Sequence, residues 1–345
     1  MSRPTIADIA LTVGVSKGAV SYALNGRPGV SDATRSRILE VARELGWRPH
    51  AAARALSGHG ADAIGLVLSR PARTLEVEPF FTQLVAGIES EISTRGSALV
   101  FQVVSDHSAE IEVYRRWWSE RRVDGVLLVD VHVDDVRLPV LADLGMPLVV
   151  LGSRPPSDGV IGVWSNDGES MRGLLDYLVA TGHDHVARIA GPAHLEHTAV
   201  RTEALIHHAG ELGIGRCEII DTDYSLEAGA AATREILSRR EGRPSVLIYD
   251  NDIMALAGLS VTQEMGVSVP DDISIVAWDD SMLCRVVHPA LTALGRDVPG
   301  FGATAARLLC DLLKGEAVRS EHVPPAQLVV RGSTARRSAR VAGAR

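Results

Sequence analysis

From Ala63 to Asp280 short β-branched runs alternate with helical stretches, and this alternation limits the possible folds more than any other feature of the chain. AIGLVL (63–68), ALVFQVV (98–104), VDGVLLV (123–129) and PLVVL (147–151) read as strands, with FFTQLVAGIESEIS and IEVYRRWWSERR as helices among them. After a break near Val160–Val163 the pattern resumes: GESMRGLLDYLVATG, HVARIAG, RTEALIHHAGEL, CEIID, LEAGAAATREILS, SVLIYD, DIMALAGLSVTQEMG and ISIVAWDD. Two successive doubly wound parallel sheets are the economical reading, with ligands expected at the carboxyl ends of the strands and between the lobes. The apolar runs stop far short of the ~20 residues needed to span a bilayer, so no membrane span is expected.

Ahead of this body lies a segment of different character. In TIADIALTV (5–13) Ile6, Ile9, Ala10 and Val13 fall at i, i+3, i+4 and i+7, with Thr5 as N-cap. Gly14 supplies a tight exit, Val15 plugs the angle, and Ser16 caps a second helix whose apolar side is Ala19, Val20, Ala23 and Leu24. Helix, short glycine turn and helix form a helix-turn-helix signature. A third helix, capped by Ser31, runs from about Asp32 to Leu45 on a buried stripe of Ile38, Val41, Ala42 and Leu45.

The formal net charge of −8 hides an asymmetry: the first 59 residues hold eight basic and four acidic side chains, leaving 27 basic and 39 acidic in the rest. A basic head on an acidic body suits a module that faces phosphate. On the second helix Ser16, Lys17, Gly18, Ser21, Tyr22 and Asn25 stay outside the apolar stripe, where a recognition helix would present them to the major groove. The cap hydroxyls of Thr5 and Ser31, with Thr34, are placed to hold phosphates.

TIADIALTVGVSKGAVSYALNG (5–26), VSDATRSRILEVARELGWRPH (30–50) and AARALSG (52–58) resemble the lactose/galactose, or LacI-type, repressors, and the resemblance extends along nearly the whole chain. It implies a periplasmic-binding-protein-like body whose chain crosses between lobes three times. It also implies that His50–Gly58 becomes a helix on DNA, with Leu56 wedged into the central base step of the minor groove and Ala53 beside it. Phe81 matches the family's stacking aromatic, Arg201 and Asp279 its effector-gripping pair, and Asn251-Asp252 its post-strand "ND". The chain departs from the family in carrying Tyr22 where most members have Arg, Gly18-Ala19 before it, and Thr202-Glu203 after the effector arginine. Tyrosine cannot make the bidentate contact that arginine makes to guanine.

Polar groups just after strands are the other site candidates: Asp106, Asp130, Ser153-Arg154, Asn166-Asp167, Asp250 and Trp278-Asp279-Asp280. Carboxylates, amides and guanidinium groups ringed by aromatics suit a polyhydroxylated ligand. Enzyme motifs do not hold up. GVSKG (14–18) satisfies G-x-S-x-G but follows a helical stripe, and GFGATA (300–305) follows a polar stretch and reads as a helix start with close packing. Histidines at 183 and 185, 194 and 197, and 207 and 208 lack cysteine partners and HExxH spacing, so no metal or cofactor is expected. Cys217, Cys284 and Cys310 read as reduced and packed.

These features predict an all-α head (1–48), a hinge and linker (49–61), a first lobe (62–162 with 294–323), a second lobe (163–293 with 324–335) and a disordered basic tail (336–345). The expected function is a cytoplasmic, homodimeric regulator, most simply a repressor, with a double-stranded DNA operator and a small saccharide effector as partners. The rival is a sugar-binding transport or sensor protein on the same body, which would need a signal peptide and no helix-turn-helix.

Overall fold

The computed structural model describes residues 4–47, 60–70, 78–155 and 159–337. The chain forms two compact units, one ending at Ala61 and one beginning at Asp62.

In the first unit α1 (Ile6–Val13), α2 (Lys17–Leu24) and α3 (Asp32–Glu44) close over Ile9, Val20 and Ile38, each wholly buried. The local chemistry sets the boundaries. Asp8 accepts from both the backbone N–H and the hydroxyl of Thr5 at 2.7 and 2.8 Å, and Gly14 ends α1 at φ +74°, a left-handed conformation that glycine takes without strain. Ser16 Oγ accepts from Ala19 N at 3.1 Å to start α2, and Ser31 Oγ accepts from Thr34 N at 3.4 Å to start α3. Leu45 does not complete the buried stripe of α3. It sits beyond the last helical residue and is 39% exposed, and Trp47 packs against the core in its place.

The second unit carries twelve strands among its described residues. In chain order they are β1 (Ala63–Ser69), β2 (Ala98–Val104), β3 (Gly125–Leu128), β4 (Leu148–Leu151), β5 (Ile161–Ser165) and β6 (His185–Ala190). Then come β7 (Arg216–Asp221), β8 (Val246–Tyr249), β9 (Ser274–Trp278), β10 (Thr292–Gly295), β11 (Glu321–Val323) and β12 (Gln327–Val329). They form two six-stranded sheets in the same order, β2-β1-β3-β4-β5-β11 and β7-β6-β8-β9-β10-β12. Every pairing is parallel except β10 with β12.

The connecting helices are α4 (Pro79–Ile92), α5 (His107–Ser119), α6 (Arg137–Leu144), α7 (Asp167–Ala180) and α8 (Glu196–Leu212). They continue with α9 (Leu226–Ser238), α10 (Asp252–Glu264), α11 (Met282–Val286) and α12 (Val298–Leu313). Alternate residues of β1 face opposite cores: Leu66 packs with Leu84, Ile88, Phe301 and Leu309, whereas Val67 packs with Tyr114, Trp117 and Val126. The second lobe repeats this on β6, with Ile189 in one core and Val186 in the other. GFGATA does open a helix, with Asp297 Oδ1 accepting from Gly300 N at 2.9 Å. The two helices α4 and α12 meet backbone to backbone: a Cβ on Gly87 would fall 2.0 Å from Pro299 O, and one on Gly302 would fall 2.5 Å from Leu84 O.

The chain passes between the lobes three times, but two of the passages lie later than the sequence division places them. Residue 162 is inside β5, which stays in the first sheet through Ser165, and residue 293 is inside β10, which stays in the second through Gly295. The third passage falls between Val323 and Gln327. Of the expected tail, Arg337 is ordered on the second lobe: its backbone N–H donates to Thr181 O and its guanidinium pairs with Asp184. The residues expected to form the hinge, including His50, Ala53 and Leu56, lie outside the described residues.

Candidate functional site

The carboxyl ends of the strands converge on a cleft between the lobes. Arg70 follows β1, Asp130 follows β3, Asp250 and Asn251 follow β8, Asp279 follows β9 and Arg296 follows β10, and all of them line it. From the helices and loops come Glu78, Phe80, His197, Arg201 and Tyr224. Asp130, Tyr224 and Asp279 take φ values of +50°, +67° and +68°, and such strained non-glycine residues tend to gather where a binding surface must be aimed.

The charges of the cleft are paired. Arg70 makes a two-pronged contact to Asp130, Nε to Oδ2 at 2.7 Å and Nη2 to Oδ1 at 2.9 Å, and reaches Glu78 at 3.4 Å. Its guanidinium lies 4.7 Å from the centre of the Tyr224 ring and 5.1 Å from that of Phe81, so one arginine touches both lobes. Arg201 donates to Asp167 Oδ2 at 2.6 Å and stacks 3.9 Å over Trp278. Arg296 donates to Asp279 Oδ1 at 3.1 Å and lies 5.2 Å from the Phe80 ring.

These pairs set the protonation of the cleft. Burial alone would raise Asp130, but the Arg70 charge and its hydrogen bonds outweigh it and hold the carboxyl at about 2. For Glu78 burial wins over Arg70 and pushes the carboxyl up to about 7. Burial and the Arg201 charge hold His197 at about 3, so it is a neutral imidazole, with Nε2 hydrogen-bonded to the Tyr224 hydroxyl at 2.8 Å.

Several sequence candidates have other duties. Phe81 is 4% exposed in the first-lobe core, and its neighbour Phe80 lines the cleft instead. Trp278 is fully buried beneath Arg201 and is not a lining residue. Arg154 is exposed on an adjoining groove with Trp164, Asn166 and Glu196. Asn251 lines the cleft, yet its side chain is committed to structure, Oδ1 capping α10 through Met254 N at 2.8 Å and Nδ2 donating to Tyr224 O at 3.2 Å. Asp106 and Asn166 are caps of α5 and α7, and Asp280 is held by both ends of Arg331. Asp252 keeps one buried oxygen without a partner, and burial raises its carboxyl to about 6. Arg70, Glu78, Phe80, Tyr224 and Arg296 line the cleft without being sequence candidates, and His197 enters the sequence reading only among the histidines set aside as metal ligands. Arg70 and Arg296 do carry the signal used for the others, a charged residue just past an apolar strand.

On the head, Ser16, Lys17, Gly18 and Asn25 are exposed, Tyr22 is 46% exposed and Ser21 is half-buried. Asn25 Nδ2 donates to Ser21 O at 2.8 Å, and the Tyr22 ring lies beside Gly29. Thr5 and Ser31 are exposed and Thr34 is half-buried.

Residues 5–50 match the model of bacterial regulatory proteins of the lacI family, and residues 175–334 match that of a periplasmic binding protein-like domain. The HTH-type transcriptional regulator CelR of Thermobifida fusca is 34% identical over 321 residues, covering 91% of this chain and 93% of that one. The chain belongs to the LacI family. A second LacI-family relative, the HTH-type transcriptional repressor PurR of Aliivibrio fischeri, is 30% identical over 90% of this chain and 92% of its own. Among solved structures, a complex of CelR with cellobiose aligns with a TM-score of 0.72 at 30% identity, over 96% of this chain and all of that one. The lac repressor dimer bound to operator and the anti-inducer ONPF aligns with a TM-score of 0.81 at 27% identity, over 97% of this chain and all of that one. As a LacI-family member the protein is a DNA-binding transcriptional regulator with a helix-turn-helix head, and its relatives are regulators, not enzymes. Among the described residues no helix is long and apolar enough to cross a membrane.

Proposed function

We propose that this LacI-family regulator is a cytoplasmic repressor that binds a two-fold symmetric operator as a homodimer and responds to a small, uncharged, polyhydroxylated effector, a saccharide. The observation that carries the effector class is the pairing of the arginines in the cleft: Arg70, Arg201 and Arg296 are each held by a carboxylate. A phosphate or carboxylate ligand would find each arginine charge already neutralised and would lie beside the carboxylate that neutralises it, a like-charge contact. A hydroxyl can donate to the carboxylate and accept from the guanidinium of the same pair without breaking it. Phe80, partly exposed in the cleft, offers apolar surface for the C–H side of a sugar ring. The likeness to the CelR–cellobiose complex supports the same reading. For the dimer, support comes from edge strand β2, which leaves Phe101 46% and Val103 38% exposed along an open sheet edge.

The test begins with site selection from a random DNA library and measures binding to the recovered site by fluorescence anisotropy. The site is expected to be a palindrome, with affinity falling linearly in log–log form as salt rises. Cellobiose or another uncharged saccharide should change that affinity by about tenfold or more, whereas glucose 6-phosphate and hypoxanthine should not. A response only to the anionic or purine ligand would overturn the effector class, and selection of an asymmetric single site would overturn the dimer.

The same selection tests the base-reading role proposed for Tyr22. Tyr22→Arg is expected to move one symmetric pair of positions toward guanine, because the bidentate contact that Arg makes is worth about 1–3 kcal/mol. An unchanged half-site would place Tyr22 away from the base edges.

A further inference from the structure

Outside the effector cleft the lobes are joined by a short antiparallel bridge. Residues after β3 meet residues after β6: Val133 N donates to His194 O at 3.0 Å and Glu196 N donates to Val131 O at 2.8 Å, pairing His132 with Leu195. Three histidines stack across this bridge. His107, at the start of α5, lies 3.8 Å from His132 between ring centres with planes 30° apart, and His132 lies 4.4 Å from His194 edge to face. His107 and His132 belong to the first lobe and His194 to the second, so the stack exists only while the lobes touch at this point.

We propose that the His107–His132–His194 stack is a proton-operated latch that holds the lobes together when neutral and releases them when protonated. It goes beyond the effector reading and does not depend on it. Two imidazoles with centres 3.8 Å apart cannot both carry a positive charge cheaply, and a third ring at 4.4 Å extends the penalty across the lobe boundary. The other groups facing the stack come from three places. On α5, Glu110 lies 3.8 Å from His107 Nε2 through its Oε2, a buried oxygen with no hydrogen-bond partner. After β3, Asp130 and Asp135 favour the protonated forms and Arg137 opposes them, and the Arg137 charge is largely spent on Glu110 and Asp135. After β6, Glu196 next to the bridge turns its carboxyl to Ser153, and burial raises it above its usual range. The balance at His132 is set first by burial and then by the charges of His107 and His194, and it brings the imidazole down to about 4.

The sign follows from linkage. An imidazole held near 4 in the joined lobes and rising toward ~6.5 on separation, where it loses His194 and the burial at the boundary but keeps His107 beside it, favours the joined state at neutral pH. That preference is lost progressively as pH falls from ~6.5 toward 4. One pH unit below the free value corresponds to about tenfold, which sets the upper bound on how much more often the bridge should open at pH 5.5 than at pH 7.5. A metal site fits these rings less well: among the described residues only His207, His208 and Glu211 bring three ligand atoms within 4.8 Å of one another.

The experiment is hydrogen exchange on the full-length protein, reading the Val133 and Glu196 amides against the amides of the second-lobe helix α10 as an internal control. After correction for intrinsic exchange, protection at both bridge amides should fall severalfold, at most about tenfold, between pH 7.5 and 5.5, while the control amides hold. In His132→Asn the bridge amides should lose this pH dependence. Histidine proton NMR on the parent protein provides an independent measurement, in which the His132 ring should titrate well below 6. Protection that is flat with pH in the parent, an equal fall in His132→Asn, or a His132 ring titrating near 6.5 would each overturn the latch.

Discussion

Asp250→Ala is expected to destabilise the second lobe by about 3–5 kcal/mol, the usual cost of leaving one member of a buried ion pair without the other. Arg188 rises from the middle of β6 and is wholly buried, and it meets Asp250 through Nε–Oδ1 at 2.7 Å and Nη2–Oδ2 at 2.5 Å. Oδ2 also accepts from Gly191 N at 3.0 Å, which fixes the loop leaving β6. Without Asp250 the guanidinium keeps only Thr202 Oγ1 at 2.8 Å and a long contact to Thr198 O, neither of which balances its charge. Urea denaturation should show the midpoint shift, and Arg188→Leu combined with Asp250→Leu should recover most of it, since a well-packed apolar pair carries no desolvation penalty. A single variant as stable as the parent would mean that the pair is hydrated in solution.

Arg201→Ala is expected to weaken effector binding about a hundredfold, or ~3 kcal/mol, if a buried ligand hydroxyl loses its partner. The same change carries a stability signature with a definite pH dependence. In the parent, burial alone would raise the Asp167 carboxyl, but the charges of Arg201 and Arg296 bring it below its usual value. Stability from Asp167 is therefore full above ~3.9 and is lost as pH falls through the depressed value. With Arg201 removed, burial dominates and the carboxyl rises above its unfolded value. The variant is then penalised most near pH 7, and its deficit shrinks as pH falls toward 4 and Asp167 takes up a proton. Denaturation midpoints of parent and variant at pH 7.5 and 4.5 read this directly. Arg201→Ala that binds cellobiose like the parent would remove Arg201 from the effector site, and a deficit that grows at low pH would break the Asp167 argument.

This coupling shows where sequence reading reaches its limit. The strand and helix alternation made β1 to β4 and β6 to β9 legible, and the spacing of Ile9, Val20 and Ile38 made the head legible, because each signal is local; β5, β10, β11 and β12, which complete the two sheets, are not among the runs read as strands. The passages between lobes were misplaced because the last residues of β5 are held by β11, more than 150 residues away, and nothing local marks such an end. Phe80 and Phe81 occupy successive positions about 100° apart on a helix, and only the packing of α12 decides which turns inward. The family resemblance marks Arg201 as an effector-gripping group, and nothing local shows that it is also half of an ion pair with Asp167, 34 positions earlier. The pairing of charges, which decides both stability and the chemistry of the cleft, is a property of three-dimensional neighbours.

The close seat of α12 on α4 also bears on how the chain is made. The first lobe cannot be finished when its first five strands have left the ribosome, since α12 and β11 are encoded after nearly the whole second lobe. At synthesis rates of about 5–20 residues per second, roughly 10–30 s pass between β5 and β11. During that interval Leu84 and Ile88 lack the cover that Phe301 and Leu309 later supply, and the backbone groove at Gly87 stands open. The first lobe therefore keeps part of its core uncovered during synthesis, and its maturation waits on the completion of its neighbour.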